Sequence, residues 1–411
     1  MAQYQKLQLD NGIVVLIESR QDSSGVSASL TLAAGSRLET SDIAGATHFV
    51  EHMLFKGTTA RDVFALAREM NIQGGRMNAS TTSDYLRLYT DVIPQDLPAA
   101  LELMREMVWD STFPEQELDR ERDVILEEIA EYLDSPEDYC FESFVGTLWE
   151  GHPLGRPIIG FPETIEKLDR GQLVRWWRTI ARPETTIVSL AGGVDPDAAG
   201  LVRAIFSEIP PSEFPAPERP CPPAARLGRK VIERDLEQVQ FCMGFPCFAR
   251  RDPRRYPLSL FDLVLGGGMG SRLFNEVRER RGLAYTVASS TSLLIDGGFL
   301  HIYGSTAPER LDHVLELCQA EFERLVVEGP TEEEVETARH QFERSFLLAL
   351  DSNPFRSMRN IDPVLYGLER LTEEEVLARI RALSRRDVMA LAAELFDKVA
   401  PTVSLVGPVN A

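Results

Sequence analysis

The sequence predicts an α+β protein built from two copies of one domain. Segments of helical and alternating apolar period interleave along both halves. A proline-dense stretch cuts the chain near its middle. The end of the second half repeats the end of the first at a constant offset.

Each element has a local reason. Residues 4–18 read as strand, turn and strand, with Asp10-Asn11-Gly12 turning the chain into the apolar run Ile13 to Ile17. A second strand is expected over Val26 to Ala34, ending at Gly35-Ser36. Helices are expected at about 43–55, stopped by Gly57-Thr58, and over Asp62 to Met70. Gly74-Gly75 breaks the pattern before an alternating strand over Tyr85 to Val92. Helices then follow at about 95–109, 115–134, 139–149 and 170–180, the last leading into a strand over Thr186 to Gly192. The 115–134 segment is rich in acids, with Val124, Ile125 and Ile129 expected as its buried face.

Between residues 210 and 223 lie Pro210, Pro211, Pro215, Pro217, Pro220, Pro222 and Pro223. No helix or central strand tolerates that density. The expected division is therefore 1–209, a linker over 210–226, and 227–411. Ile165 to Gly192 matches Ile380 to Gly407 without a gap: Ile165 with Ile380, Leu168 with Leu383, Arg170 with Arg385, and Val188-Ser189-Leu190 with Val403-Ser404-Leu405.

At 411 residues the chain can bury large cores, and its 44% hydrophobic and 26% charged content is that of a globular protein. A net charge of −21 argues against nucleic acid, since phosphate repels it, and is compatible with basic peptides as partners. Five scattered cysteines without a C-x-x-C pair support neither a disulfide framework nor a cysteine metal site. No run of 18 apolar residues suggests a membrane span, and the N-terminus lacks a signal pattern, so the expected location is cytoplasmic. Gly266-Gly267-Gly268 lacks the Gly-Lys-Ser/Thr ending of a phosphate loop, which excludes a nucleotide reading.

The chemistry concentrates at His48-Phe49-Val50-Glu51-His52, an H-x-x-E-H pattern on a predicted helix. Positions i and i+4 share a face, so both imidazoles can reach one Zn²⁺, with Glu51 beside them. The second half carries no such motif, so one Zn²⁺ per chain is expected. A third ligand is needed. The histidine candidates are His152, His301, His313 and His340; the acidic ones are Glu121, Glu127, Glu128 and Glu131 on the acidic helix, Glu128 being the best placed, and spacing alone does not choose among these acids. Glu121 lies two turns earlier on nearly the same face, where a carboxylate could orient a ligand.

The sequence resembles the pitrilysin/insulinase family of inverted-motif zinc peptidases, in its short-chain branch like the mitochondrial processing peptidases. The resemblance rests on Ala44 to Thr58, Glu121 to Ile129, His152-Pro153-Leu154-Gly155, Gly268 to Leu273 and Val277 to Tyr285, and covers nearly the whole chain. It implies mostly antiparallel sheets packed with helices, and a clam-like dimer enclosing a chamber. The third ligand it implies lies 76 residues beyond His52, which is Glu128, with Glu121 as the supporting carboxylate. Arg278 and Tyr285, seven residues apart, fit the arginine and tyrosine that the family's second domain supplies. Taken alone, Arg278 reads as surface and Tyr285 as core. The resemblance further implies peptide backbone pairing at a sheet edge near Asn78, Ala79 and Ser80, and places Asp138 and Glu142 where processing relatives keep acids for basic substrate residues.

The expectation is a zinc endopeptidase acting on peptides or unfolded segments, with Glu51 as general base and Arg278 and Tyr285 at the oxyanion. It pairs as a homodimer, or as the catalytic half of a heterodimer with a related chain. The competing reading is a non-catalytic assembly subunit of the respiratory-complex core type, whose zinc motifs are usually broken.

Overall fold

The computed structural model describes residues 3–195, 197–397 and 399–409. Two sheets form. The first runs β1 (Gln3–Gln8), β2 (Val14–Ser19), β3 (Val26–Leu32), β4 (Asn78–Thr81), β5 (Leu86–Val92) and β6 (Thr186–Gly192) in chain order, arranged β1-β2-β6-β3-β5-β4. The second contains β7 (Arg229–Glu233), β8 (Val239–Cys247), β9 (Ala284–Leu293), β10 (Gly298–Thr306) and β11 (Thr402–Gly407), arranged β7-β11-β8-β10-β9. Among the described strands, only β2/β6 and β7/β11 pair in parallel. Without β1, the two orders are the same, so the α+β duplication holds at the level of topology. The matched segments at the ends of the halves become β6 and β11, each an interior strand of its sheet and each paired in parallel with one neighbour.

The helices of the first half are α1 (Ala46–Met53), α2 (Val63–Ile72), α3 (Leu97–Trp109), α4 (Glu115–Asp134), α5 (Pro136–Leu148), α6 (Pro162–Ile165), α7 (Arg170–Ile180) and α8 (Ala198–Phe206). Those of the second are α9 (Arg255–Leu265), α10 (Leu311–Glu328), α11 (Glu332–Ala349), α12 (Asn353–Leu365), α13 (Glu373–Ala382) and α14 (Arg385–Phe396). Most follow their sequence signals. α5 starts earlier than its apolar pattern suggests, because Ser135 accepts from Asp138 N and Pro136 takes the first turn, where no donor is needed. β4 carries no apolar alternation over Asn-Ala-Ser-Thr, and pairing with β5 makes it a strand. Val124, expected in the buried face of α4, is exposed. The buried stripe runs through Leu118, Glu121, Ile125 and Ile129 at steps of three and four, which leaves residue 124 off it. No helix or strand forms across residues 210–228, as the prolines require.

Contacts group the chain into two compact units: Met1–Ala130 with Arg156–Cys221 and Ala349–Leu368, and Glu131–Gly155 with Pro222–Leu348 and Glu369–Ala411. The linear boundary at 210–226 does not show the exchange this involves. α5 belongs with the second sheet, packing Cys140, Phe144 and Leu148 against Cys242, Phe299 and Val406. α12 belongs with the first, packing Ile361 and Leu365 against Leu16 and Ile187. Ser357 Oγ meets Ser29 Oγ at 3.2 Å and Ser189 Oγ at 3.1 Å, and Asn360 Nδ2 donates to Glu18 Oε2 at 2.7 Å. Buried polar groups paired this way fix the seat of α12 on the first sheet, because a shifted seat would strand them.

Candidate metal centre

α1 is short, and its composition divides it. Ala46, Thr47, Phe49, Val50 and Met53 are buried, which leaves His48, Glu51 and His52 on the other side. Its start is built from outside. Gly45 has φ +92°, and a Cβ there would lie 2.7 Å from Ile159 O and 2.8 Å from Gly160 Cα. Gly45 gives no side-chain cap, and Glu39 supplies one instead, accepting from Gly45 N at 2.8 Å and Thr47 N at 2.6 Å. Trp176 Nε1 donates to Thr47 Oγ1 at 3.0 Å and ties α1 to α7.

His48, His52 and Glu128 offer ligand atoms that all lie within 4.8 Å of one another. Glu128 Oε2 is 3.8 Å from His48 Nε2 and 3.5 Å from His52 Nε2. Burial, then the neighbouring His52, pushes the His48 imidazole down to about 3, so it is neutral and its lone pair is available. Two imidazole nitrogens and one carboxylate form the donor set of an open tetrahedral zinc site, and these residues fit the ion. Of the four acids left open by sequence, Glu127 and Glu131 are exposed, and Glu128 joins the histidines.

Glu121 stands behind them. Its Oε2 lies 3.0 Å from His52 Nδ1, and its Oε1 lies 2.5 Å from Lys56 Nζ. Burial works to raise this carboxyl, but the bonds from His52 and Lys56 outweigh it and hold it below the usual range. An ionised carboxylate at Nδ1 fixes the ring so that Nε2 faces the ligand cluster. Glu51 is raised by burial, against a hydrogen bond from Thr81 Oγ1. A raised carboxyl suits a group that must take and return a proton. Thr81 and Lys56 were not assigned from sequence. Neither carries a motif of its own; β4 beside α1 gives Thr81 its partner Glu51, and α4 gives Lys56 its partner Glu121.

Asn78, Ala79 and Ser80 lie on β4, an edge strand hydrogen-bonded only to β5 among the described strands. The strand that offers a free edge is thus the one whose last residue holds Glu51. In the second unit, Arg278 lies in a π-helical turn, Phe274–Glu279, and its guanidinium sits 5.0 Å from the Tyr285 ring and 4.8 Å from the Phe274 ring. Tyr285 is 76% exposed at the start of edge strand β9 and is not a core residue. Asp138 is exposed and accepts from Ser135 Oγ at 2.6 Å. Glu142 is half-buried beside Tyr132, and burial pushes its carboxyl up to about 7. No described helix is long and apolar enough to cross a membrane.

Comparison with known proteins gives the chain a family. Residues 14–161 match the family model described as insulinase (peptidase family M16), and residues 167–342 match the peptidase M16 inactive domain. The chain is 34% identical to an uncharacterized zinc protease of Streptomyces coelicolor, covering 98% of this chain and 89% of the relative. It is 32% identical to an uncharacterized zinc protease of Bacillus subtilis, covering 94% of each. The fold matches that of a protease from Helicobacter pylori, with TM-score 0.93 at 21% identity over 99% of this chain and 100% of that one. It also matches a peptidase M16 inactive domain from Pseudomonas fluorescens, with TM-score 0.92 at 24% identity over 100% and 98%. With a two-imidazole, one-carboxylate cluster on α1 and α4 and family matches across both halves, the chain belongs to the insulinase, or M16, peptidase family.

Proposed function

We propose that the protein is a zinc endopeptidase whose metal is held by His48, His52 and Glu128. The observation that carries this reading is the convergence of His48 Nε2, His52 Nε2 and Glu128 Oε2, with Glu51 on the same short helix. Zinc, when bound there, lowers the pKa of a bound water and polarises a peptide carbonyl. Glu51 takes the proton of the attacking water and returns it to the leaving amine. Thr81 Oγ1 holds the Glu51 carboxylate while it does so. Glu121 keeps the His52 ring turned toward the metal. The free edge of β4 accepts substrate backbone as an added strand, a mode tolerant of sequence. Arg278 and Tyr285 supply a cation and a hydroxyl donor to the oxyanion, from the same chain or a second copy in a dimer enclosing a chamber. Free thiols at Cys140, Cys242, Cys247 and Cys318 suit the reducing cytoplasm.

The test is cleavage of unstructured peptides by zinc-loaded protein and by Glu51→Gln. The expected result is loss of about 10³-fold or more in kcat with zinc stoichiometry unchanged, the scale of removing an essential general base with its proton shuttle. Equal turnover by the variant would refute the mechanism. Absence of bound zinc would instead favour the assembly-subunit reading.

A further inference from the structure

The first unit holds an arginine that the zinc chemistry does not use. Arg87 lies on β5, and its guanidinium sits 4.2 Å over the ring of Tyr89, two residues along the same strand. Both side chains are half-buried. Successive residues of a strand alternate between the faces of the sheet, so Arg87 and Tyr89 share one face. Their partners on β4 share it too, Ser80 opposite Arg87 and Asn78 opposite Tyr89. Thr81, which holds Glu51, belongs to the other face.

What Arg87 lacks is an acceptor. Arg37 holds Asp84, Arg61 holds Glu106, Arg122 holds the carbonyls of Ile165 and Leu168, and Arg156 holds that of Glu39. Among the described residues no carboxylate or carbonyl oxygen pairs with the Arg87 guanidinium, and its Nε is buried without a partner. Thr31, opposite Arg87 on β3, adds a buried hydroxyl that is likewise unpartnered. A guanidinium has five N–H donors, and leaving them idle in a half-buried place costs stability. Acids outnumber bases in this chain by 64 to 43, so the missing partner is not a matter of composition.

The geometry narrows what would supply the acceptor. Stacking on Tyr89 covers one face of the guanidinium and fixes its plane. The edge is left for a planar, two-oxygen acceptor, which is a carboxylate. β4 is the edge strand, and a strand added beyond it lies two strand spacings from β5, about 9–10 Å. An arginine side chain crosses the first spacing over the small Ser80. An aspartate or glutamate side chain reaching back from the added strand crosses the second.

We infer that Arg87, braced on Tyr89, is a recognition site for the carboxylate of an acidic residue in a peptide lying along β4. The inference rests on the proposed pairing of substrate with that edge. It reserves one position of the bound strand for aspartate or glutamate, on the face turned away from Thr81.

The experiment measures binding and so is independent of turnover. The probes are nonapeptides of alanine, glycine and threonine, amidated at the C-terminus so that a central glutamate is the only carboxylate. Each carries an uncharged dansyl group at its N-terminus and is titrated by anisotropy against full-length Glu51→Gln protein. Replacing the glutamate by glutamine is expected to weaken binding about tenfold. Arg87→Met in the same background should weaken the glutamate peptide about tenfold and leave the glutamine peptide unchanged. Arg87→Lys, which keeps the charge and loses the fork, should restore part of the preference. Arg87→Glu should reverse it in favour of a peptide with a central lysine. Tyr89→Leu removes the brace and keeps the arginine. It should weaken the glutamate peptide and spare the glutamine one, and it decides the matter if Arg87→Met fails to fold. Equal affinity for the glutamate and glutamine peptides would overturn the inference. So would a loss in Arg87→Met that is the same for both, since the arginine would then be a structural brace. If wild type cleaves neither peptide while these differences persist, the peptidase reading fails and the carboxylate site stands. If it cleaves both and the differences are absent, the site fails and the peptidase reading stands.

Discussion

Glu121 gives the sharpest test of how the proposed metal centre is held. Glu121→Gln keeps the shape of the side chain and removes its charge. In the structure one oxygen faces His52 Nδ1 at 3.0 Å and the other faces Lys56 Nζ at 2.5 Å. A glutamine can turn its carbonyl to only one of them. If it accepts from His52, its NH₂ meets the Lys56 ammonium, donor against donor, and Lys56 loses its partner in a half-buried position. A hydrogen bond to a charged group contributes about 1.5–3 kcal/mol. Loss of a partner that orients a metal-binding histidine typically weakens metal affinity about 10–100-fold, or about 1.4–2.8 kcal/mol. The two estimates agree, so zinc binding should weaken about 10–100-fold. The assay is competition between metal-free protein and a chromophoric chelator at neutral pH. Lys56→Met leaves the bond to His52 in place and should cost less than Glu121→Gln. Zinc affinity within about twofold of wild type in Glu121→Gln would refute the reasoning, because the ring would then be oriented without the carboxylate.

Other substitutions test the frame around the site. Gly45→Ala places a Cβ 2.7 Å from Ile159 O at φ +92°, and should destabilise the first unit by about 2–4 kcal/mol in urea unfolding while loosening zinc binding. Asp262 of α9 is half-buried, and desolvation pushes its carboxyl up from 3.8 to about 6 against a hydrogen bond from Ser289 Oγ at 2.6 Å. Because the folded value is the higher one, its contribution to stability is present below pH 3.8 and is lost as pH rises through about 6. The difference in unfolding free energy between wild type and Asp262→Asn should therefore move against wild type by about 3 kcal/mol across that window and stay flat above it. A flat difference at all pH values would show that the carboxyl is not titrating in the fold.

The sequence by itself determined the parts of this protein that rest on short-range periodicity and on chemical type. An i, i+4 spacing puts two histidines on one side of any helix, so His48, Glu51 and His52 were legible before any fold was known. A proline run prevents regular structure wherever it occurs, and two gapless matching segments mark a duplication. Long-range facts were not available from those signals. Spacing left four glutamates open as the third ligand, and only the packing of α4 against α1 brings Glu128 beside the histidines and leaves Glu127 exposed. β4 has no apolar alternation, so its pairing with β5, and with it the Thr81 bond to Glu51, arises in the tertiary structure. The exchange of α5 and α12 is invisible along the chain, because an amphipathic helix announces that it will be buried without naming the sheet that buries it.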